Sequence, residues 1–581
     1  MTSLIRVIAG LSAVVWPLMA APARGEEAPQ APPPNVLLIV TDDQGYGDLG
    51  FHGNPDIRTP RLDALARESV RFASFYVSPV CSPTRASLMT GRYSYRTGVV
   101  DTFRGRSIMH TGETTIAEML SRAGYRTGIF GKWHLGDNAP SRPMDQGFDE
   151  SLVIRGGGVG QASDLPGSGP GNFDPVLEHN GKPEPTPGFT TDLFTDATLR
   201  FIGADRSRPF FATLTYTAPH VPLDVPATDK ALLKSDDATS KLYAMLARVD
   251  SNVGRVLDRL DELGIARNTL VIFLSDNGPQ QPRFNAGLRG LKVSVHEGGI
   301  RVPCFVRWPG TLEAGRVVGP IAAHIDLVPT ILSACRVERP ASVAFDGRDL
   351  MPLLRGEPVP WPERTLFFQW HRGDRPERYR AFAARGDRYK LAQPVGVSGA
   401  ANVDPSPLPS PLPYELYDIR DDPAEAHNLA ATHPQEVAAL LKAYEAWFAD
   451  VTADPAHALP RIDLGSPREN PSTLTRQDWR GEGVVQDASQ MGGWDVDVIR
   501  AGTFDLAFRF EPGPEGDLEI EVGGQTRRAK VADRAATSRV EGIPIPAGPT
   551  RLRAWVRRGP TSIGVSQADV RRRDDGGPPG N

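Results

Sequence analysis

Acidic side chains follow two strongly apolar stretches of this sequence. The run VLLIV is followed within three residues by Asp42 and Asp43, and the run LVIFL by Asp276 and Asn277. Ligand sites in parallel α/β sheets lie outside the carboxyl ends of the strands. If the two runs are neighbouring strands, three carboxylates and one amide meet at one place, and this oxygen-rich set suits a hard cation such as Ca²⁺ or Mg²⁺. Each pair taken alone is equally well explained as a helix cap or a turn, so the metal interpretation rests on the two pairs together.

Basic side chains follow two further strand-like runs and also occur in a later loop. Lys132 and His134 follow the apolar residues of GYRTGIFGKWHLG, His220 follows those of PFFATLTYTAPHVP, and Lys292 stands in LRGLKVSVHEGGIRVP. Any one of these residues is more simply a solvated lysine or a hydrogen-bonded histidine. Beside a cation site, however, the group would form a pocket for an anion that carries charge on several oxygens, such as sulfate or phosphate.

Cys81 stands just before a predicted helix over residues 83–89, in the stretch VCSPTRASLMTGR, and Arg85 follows one helical turn later. A helix N-terminus and a nearby guanidinium both lower the pKa of a thiol. The polar, proline-containing surroundings predict an exposed position, so the pattern is typical of a reactive cysteine. The alternatives are a buried structural cysteine and an ordinary N-cap.

An α/β domain must position these residues. From residue 35 to 375 short apolar runs alternate with helical stretches, which is typical of a mostly parallel central sheet flanked by helices. Apolar residues at helical spacing predict helices over 62–70, 114–123 and 242–263. The Gly/Pro-rich stretch 154–175 predicts a long loop that shapes the site.

Several further regions follow this domain. Residues 376–460 predict a smaller α+β subdomain with short strands and one helix. A Pro/Ser/Arg-rich linker is predicted over 461–489. Over 490–572 the apolar residues alternate with polar ones between Gly/Pro turns, which indicates an antiparallel β-sandwich-like module. The polar residues 573–581 predict a disordered tail.

The composition limits the partners and the cellular location. The sequence has 65 Lys and Arg against 70 Asp and Glu, a net charge of −5, which argues against nucleic acid and an anionic membrane surface as partners. Residues 1–24 show the basic, apolar and small-residue order of a signal peptide, with an uncleaved membrane anchor as the alternative. We therefore expect a secreted or periplasmic protein with no membrane attachment after cleavage. With three cysteines, Cys81, Cys304 and Cys335, at least one is unpaired in the monomer.

These motifs resemble a known family. The motif C-x-P-[ST]-R at 81–85, followed by TGR at 90–92, is similar to the signature of the type I, formylglycine-dependent sulfatases, arylsulfatase-like enzymes of the alkaline phosphatase superfamily. Thr84 stands where many members have serine, and a serine that the family carries on the loop after the His134 block is not assigned to a position here. Further stretches similar to sulfatase blocks occur in the family's order: TDDQGYGDLG, TPRLDALARESVRFASFY, GIFGKWHLG, PMDQGFDE, PFFATLTYTAPHVP, FLSDNG, GLRGLKVSVHEGGIRVP, HIDLVPTIL and ELYDIRDDPAEAHNLA.

The resemblance implies a modified residue and a metal ion. In the family the motif cysteine is oxidised to formylglycine (3-oxoalanine) by a formylglycine-generating enzyme, and the hydrated aldehyde is the nucleophile. For this chain, Cys81 would be the precursor of the nucleophile, and one Ca²⁺ would be bound per chain. The implied calcium ligands are Asp42, Asp43, Asp276 and Asn277 together with the modified Cys81. An aldehyde hydrate, as an oxygen group, suits an all-oxygen site better than a thiolate does.

The resemblance also implies roles for the basic residues. Arg85 and Lys132 would hold the formylglycine hydrate and the sulfate. His134 would take a proton from the hydrate. His220 and Lys292 would contact the sulfate and the leaving oxygen.

The expected activity is hydrolysis of a sulfate ester of a carbohydrate or aryl group to an alcohol and inorganic sulfate. Two alternatives stay open. A phosphonate or phosphate diester hydrolase on the same fold can use the same nucleophile. An inactive, exported carbohydrate-binding protein would carry its function in the β-module, although a stabilising or docking role explains that module equally well.

Overall fold

The computed structural model describes residues 32–169, 171–396, 406–453, 459–481 and 489–573. The predicted signal peptide at 1–24 lies outside these residues, as does the predicted tail beyond residue 573. Within the described part of the chain, no helix combines the length and apolarity needed to cross a lipid bilayer.

The first domain is built on a central sheet of ten strands and a small sheet of three. Its strands are β1 (Asn35–Thr41), β2 (Val70–Phe72), β3 (Phe75–Tyr76), β4 (Arg126–Lys132), β5 (Glu150–Ile154), β6 (Val176–His179), β7 (Lys182–Pro185), β8 (Phe210–Thr215), β9 (Thr269–Ser275), β10 (Arg301–Val302), β11 (Cys304–Arg307), β12 (Val317–Val318) and β13 (Ala322–Ala323). The central sheet has the order β12-β2-β11-β9-β1-β8-β4-β5-β6-β7, and β10-β3-β13 form the small sheet. The five strands from β9 to β5 run parallel, as the sequence predicted.

Helices cover both faces of the central sheet. They are α1 (Pro60–Arg67), α2 (Cys81–Thr90), α3 (Ile116–Arg122), α4 (Thr190–Ala204), α5 (Ala238–Glu262), α6 (Glu297–Ile300), α7 (Leu327–Cys335) and α8 (Met351–Arg355). Val36, Leu38 and Val40 of β1 pack with α2, α3 and α7, whereas Leu37 and Ile39 pack into a second core with α4 and α5. Successive side chains of a strand point to opposite faces, so a strand buried on both sides must be apolar throughout.

The subdomain that follows is a four-stranded antiparallel sheet with one long helix. Its elements are β14 (Leu366–Gln369), β15 (Phe382–Arg385), β16 (Tyr389–Gln393), β17 (Glu415–Asp418) and α9 (Pro434–Val451). The strands pair in chain order, and Tyr444 and Trp447 of α9 are buried with Phe382 and Leu391 of the sheet.

The C-terminal β-module consists of two sheets around a shared apolar core. Its strands are β18 (Ile462–Leu464), β19 (Ser472–Thr475), β20 (Gly493–Val498), β21 (Gly502–Arg509), β22 (Gly516–Val522), β23 (Gln525–Val531), β24 (Thr537–Ile545), β25 (Gly548–Arg558), β26 (Thr561–Gly564) and β27 (Gln567–Arg572). One sheet has the order β18-β20-β25-β22-β23, with β26 on β25, and the other has the order β19-β27-β21-β24.

The stretch 461–489, interpreted from the sequence as a linker, differs from that prediction in its described residues. β18 pairs with β20, and β19 pairs with β27, so both strands belong to the sheets of the module. Trp479 also lies in the module core, with Trp494. Short strands with polar and proline neighbours give little periodic signal, and their pairing partners lie far along the chain.

All three cysteines are buried and unpaired. The predicted exposed position of Cys81 is therefore wrong, because this residue is only 3% exposed. Residues that follow the central strands β1 and β9 surround it, with carboxylate oxygens of Asp42 and Asp276 within 4.8 Å of its Sγ.

Candidate active site

The two acidic pairs lie side by side at the carboxyl edge of the central sheet. β1 and β9 pair in parallel register, with Thr41 opposite Ser275, so the residues that follow them are adjacent. The amide N–H of Asp43 donates to Asp276 Oδ1 at 3.3 Å, and Asn277 Nδ2 donates to Asp43 Oδ1 at 2.7 Å. The convergence predicted from the sequence is confirmed.

Cys81 enters this cluster as the first residue of α2. Its Sγ and carboxylate oxygens of Asp42 and Asp276 all lie within 4.8 Å of one another. One turn later, Arg85 donates from Nη2 to Asp276 Oδ2 at 2.7 Å and from Nη1 to the Lys132 carbonyl at 2.8 Å. Burial raises the pKa of the Cys81 thiol, although the Lys132 ammonium opposes the shift. The cysteine is therefore a poor thiolate nucleophile, contrary to the simplest sequence interpretation.

Two lysines neutralise two of the carboxylates. Lys132 Nζ lies 2.7 Å from Asp42 Oδ2, and Lys292 Nζ lies 2.6 Å from Asp43 Oδ1. Burial and the neighbouring Asp276 raise the pKa of Asp42 to about 7. Burial is also the largest single influence on Asp43, but the Lys292 ammonium, His220 and the hydrogen bonds from Lys292 and Asn277 together outweigh it and hold the pKa of Asp43 below its usual value.

The cluster has the free oxygen atoms that a hard cation requires. Asp42 Oδ1, Asp43 Oδ2 and Asn277 Oδ1 are buried and receive no hydrogen bond from any described residue. Buried polar atoms without a partner are costly, so such atoms in a group need an explanation. Three such oxygens, next to Asp276 and Cys81, fit a Ca²⁺ ion better than they fit a closed network of hydrogen bonds.

His134 follows β4 and is held in one tautomer. Its Nε2 lies 2.7 Å from the carbonyl oxygen of Thr102. A carbonyl only accepts, so Nε2 carries the proton and Nδ1 keeps its lone pair. Nδ1 is buried and has no partner among the described residues. Burial, reinforced by the Lys132 charge, lowers the pKa of this ring well below its ordinary value, so His134 is a neutral base near pH 7.

His220 follows β8 and faces the acidic cluster. Its Nδ1 donates to the Val221 carbonyl at 2.7 Å, and its Nε2 lies 3.8 Å from Asp43 Oδ2. Burial lowers the pKa of His220 to about 4, although Asp43 opposes the shift. Five of the six residues predicted for catalysis thus lie within 4.8 Å of an acidic side chain of the cluster. The sixth, His134, lies near enough to Lys132, Arg85 and Lys292 to be affected by their charges.

A glycine-rich loop covers both histidines. A Cβ atom on Gly157 would lie 3.2 Å from His134 Cε1, and one on Gly158 would lie 3.3 Å from His220 Nδ1. The side chain of Gln161 also lies against these glycines, since its amide oxygen would meet a Cβ on Gly157 at 2.6 Å. The predicted loop 154–175 does approach the site.

Comparisons with known proteins agree with this arrangement. A family model described as Sulfatase matches residues 34–337, and one described as N-sulphoglucosamine sulphohydrolase, C-terminal, matches residues 291–446. The chain belongs to the sulfatase family. The matched residues include the whole acidic cluster, Cys81 and the basic residues around them.

Curated relatives of this sulfatase are sulfuric ester hydrolases. Arylsulfatase A from Bos taurus is 35% identical over 456 residues, which cover 71% of this chain and 86% of the relative. Steryl-sulfatase from Mus musculus is 31% identical, with 80% and 89% covered. N-acetylgalactosamine-6-sulfatase from the same species is 34% identical, with 59% and 69% covered. The sulfatase described here is therefore a sulfuric ester hydrolase.

Solved structures share the fold. The chain in the crystal structure of Ps i-CgsB is 29% identical in sequence to this sulfatase, with a TM-score of 0.63. The match covers 71% of this sulfatase and 92% of that chain. The same protein in complex with k-i-k-neocarrahexaose has a TM-score of 0.62. A phosphonate monoester hydrolase of Agrobacterium radiobacter, 22% identical with a TM-score of 0.53, shares the fold. The diester hydrolase alternative is not favoured, because the matching family model and the curated relatives named above are sulfatases.

The sequence interpretation missed two residues of the sulfatase site. Thr102 contributes a backbone carbonyl, which no side-chain pattern reveals. Gln161 stands three positions after the run of glycines at 156–158. This glycine run is the local signal that could have drawn attention to Gln161.

Proposed function

We propose that this sulfatase hydrolyses sulfate esters with a formylglycine hydrate derived from Cys81 as the nucleophile and with one Ca²⁺ beside it. The observation that carries the proposal is the position of Cys81, buried and within 4.8 Å of carboxylate oxygens of Asp42 and Asp276. A thiol whose pKa is raised by burial serves poorly as a nucleophile there. An oxygen group at the same position suits both the metal and the reaction.

The acidic residues would hold the metal. Asp42, Asp43 and Asn277 each offer a buried oxygen without a hydrogen-bond donor, and Asp276 adds a carboxylate already oriented by Arg85. When bound, Ca²⁺ would stabilise negative charge on the nucleophile and on the sulfuryl oxygens.

The basic residues would bind the sulfate and move one proton. Lys132 and Arg85, both buried, and the largely buried Lys292 balance the three carboxylates of the cluster. Bound Ca²⁺ would then leave the site with net positive charge, which suits a dianionic transition state. His134 Nδ1, the free lone pair of the ring, would accept a proton from the nucleophile. His220 would contact the sulfate and the leaving oxygen.

Substrate class and location complete the proposal. We infer a sulfated carbohydrate or an aryl sulfate as the substrate, since the relatives include arylsulfatase A and N-acetylgalactosamine-6-sulfatase. We also infer that residues 1–24 direct export to the periplasm or the medium, and that a formylglycine-generating enzyme modifies Cys81 before the protein acts.

Two measurements test this function. Mass analysis of the Cys81 peptide should show the loss expected when a CH₂SH side chain becomes CHO. Turnover of a nitrophenyl sulfate should exceed turnover of the corresponding phosphate diester. Preference for the diester would instead establish a diester hydrolase. An unmodified thiol together with no turnover would favour a carbohydrate-binding protein.

A further inference from the structure

His134 has a backbone conformation that its surroundings must maintain. Its φ is 64°, a left-handed value that is uncommon for residues other than glycine. Such residues persist where neighbouring contacts over-determine them. Two contacts hold His134: its backbone N–H donates to the Arg155 carbonyl at 2.9 Å, and its Nε2–H donates to the Thr102 carbonyl at 2.7 Å.

Both of these partner residues form hydrogen bonds with the β-module. Gln477 Nε2 donates to the Thr102 carbonyl at 2.8 Å, so that oxygen accepts from the module and from His134 together. Arg155 Nη2 donates to the carbonyl of Thr473 in β19 at 3.0 Å. The two anchors of the proposed base are thus each tied to one short segment of the module.

Further contacts fix this segment against the loop that carries Thr102. The backbone N–H of Arg104 donates to the Gln477 carbonyl at 2.6 Å, and Arg480 Nη2 donates to the Gly105 carbonyl at 2.8 Å. Phe103 belongs to the same apolar core as Trp479 of the module. The loop is therefore packed into the module.

Gln477 itself is placed between the two loops that flank His134. It is 3% exposed, and a Cβ atom on Gly156 would lie 3.6 Å from its Cδ. Several charged groups lie near His134 and Thr102. The charges of Lys132, Arg85 and Lys292 lower the pKa of the His134 ring. The ion pair between Arg372 and Asp101 lies beside Thr102. The β-module contributes Glu469 and Asp478, whose charges act on Arg155, and burial raises the pKa of Asp478 to about 7.

We propose that Gln477 is a positioning residue for His134 and that the β-module is thereby a structural part of the active site. This inference rests on the proposed role of His134 as the base. The amide N–H of Gln477 fixes the Thr102 carbonyl at the place where the imidazole needs it. Because a carbonyl that already accepts one hydrogen bond is a weaker acceptor for a charged ring, the same contact favours the neutral form of His134.

The test uses the full-length, modified protein with Gln477→Glu. A carboxylate of the same size cannot donate to the carbonyl, and its negative charge stabilises a protonated ring. We expect kcat for nitrophenyl sulfate to fall by about 10-fold to 100-fold with KM within about twofold. We also expect the acid limb of the kcat profile to move up by about 0.5 to 1 pH unit. Gln477→Leu also removes the donor but adds no charge, and it should lower kcat by a similar factor. This variant replaces Gln477→Glu in the test if Gln477→Glu does not fold.

Two control variants separate positioning from general stability. Gln525→Glu makes the same chemical change in β23, where the side chain is exposed and contacts the Pro544 carbonyl, and should leave the profile unchanged. Arg480→Gln removes a contact to the same loop at Gly105 without touching Thr102, and should lower the melting temperature without moving the acid limb.

The outcomes distinguish this inference from the proposed function. A Gln477→Glu enzyme whose acid limb and kcat match those of the wild type would overturn the positioning role. A wild-type protein without turnover, or a His134→Ala variant that is fully active, would instead overturn the role of His134. Formylglycine content and bound calcium, measured on each variant, should equal those of the wild type.

Discussion

Lys132 Nζ lies 2.7 Å from Asp42 Oδ2, and neither side chain has any solvent exposure. Lys132 ends β4 and Asp42 follows β1, with β8 between these two strands in the sheet. The pair thus joins the anion-binding side of the site to the metal-binding side. Removing one member of a buried ion pair leaves the other charge buried without a partner.

Lys132→Met should therefore destabilise the metal-free protein by about 3 to 5 kcal/mol and abolish turnover. Denaturant unfolding measures the first effect. Lys234→Met, which breaks an exposed pair with Asp56, should cost about 1 kcal/mol or less. The double variant Asp42→Asn/Lys132→Met should recover stability but not activity. A Lys132→Met protein as stable as the wild type would contradict this account of the pair.

Cys81→Ala should abolish turnover while the protein remains folded, because the change removes the precursor of the nucleophile and only one buried atom. Turnover of nitrophenyl sulfate and circular dichroism check the two parts. Cys335→Ala provides a matched control, since Cys335 is also buried but ends α7, a helix that contributes no residue to the acidic cluster. Residual sulfatase activity in Cys81→Ala would show that another group is the nucleophile.

Calcium removal should inactivate the sulfatase reversibly. Dialysis against a chelator should abolish turnover, and added Ca²⁺ should restore it. Asp276→Ala should weaken calcium binding by at least about tenfold, measured by titration calorimetry. The control variant Asp258→Ala removes an exposed carboxylate of α5 and should leave calcium binding unchanged. Full activity in the presence of chelator would reject the metal assignment.

The pH dependence should follow His134. Burial and the Lys132 charge lower the pKa of this ring, and a general base acts only when unprotonated. As the pH falls, activity should therefore persist below the ordinary histidine pKa of 6.5, and the acid limb of kcat should lie under that value. A bound cation would also lower the pKa of the His134 ring. An acid limb centred above pH 6.5 would be inconsistent with His134 as a buried neutral base.

Gly157→Ala should lower kcat by at least about tenfold, because the new Cβ would lie 2.6 Å from Gln161 Oε1 and 3.2 Å from His134 Cε1. Gly319→Ala is the control, since no atom lies within 4 Å of the corresponding Cβ. Steady-state kinetics on both variants make the comparison. Equal rates would mean that the glycine loop does not constrain His134.

Much of the site was predictable because its signals are local. Asp42 and Asp276 follow apolar runs that are strands in any α/β sheet, and parallel strands present their carboxyl ends to one edge. The C-x-P-x-R motif places Cys81 and Arg85 on one helix, one turn apart. These relations depend on covalent order and on the repeat of a strand or helix, so the sequence alone determined them.

Other features depended on how distant segments pack. Cys81 looked exposed from its polar neighbours, but the ends of the central strands bury it, and this reverses the direction in which its pKa shifts. β18 and β19 form strands because the module supplies partners for them, not because of a strong pattern of their own.

The chemistry-bearing residues and the α/β framework that presents them were thus determined by the sequence itself. Only the tertiary structure decided which groups surround each of them. Gln477 and Thr102 are separated by 375 positions, yet they share a hydrogen bond beside His134. No local pattern encodes that contact, because it exists only when the β-module packs against the catalytic domain and excludes water from the interface between them.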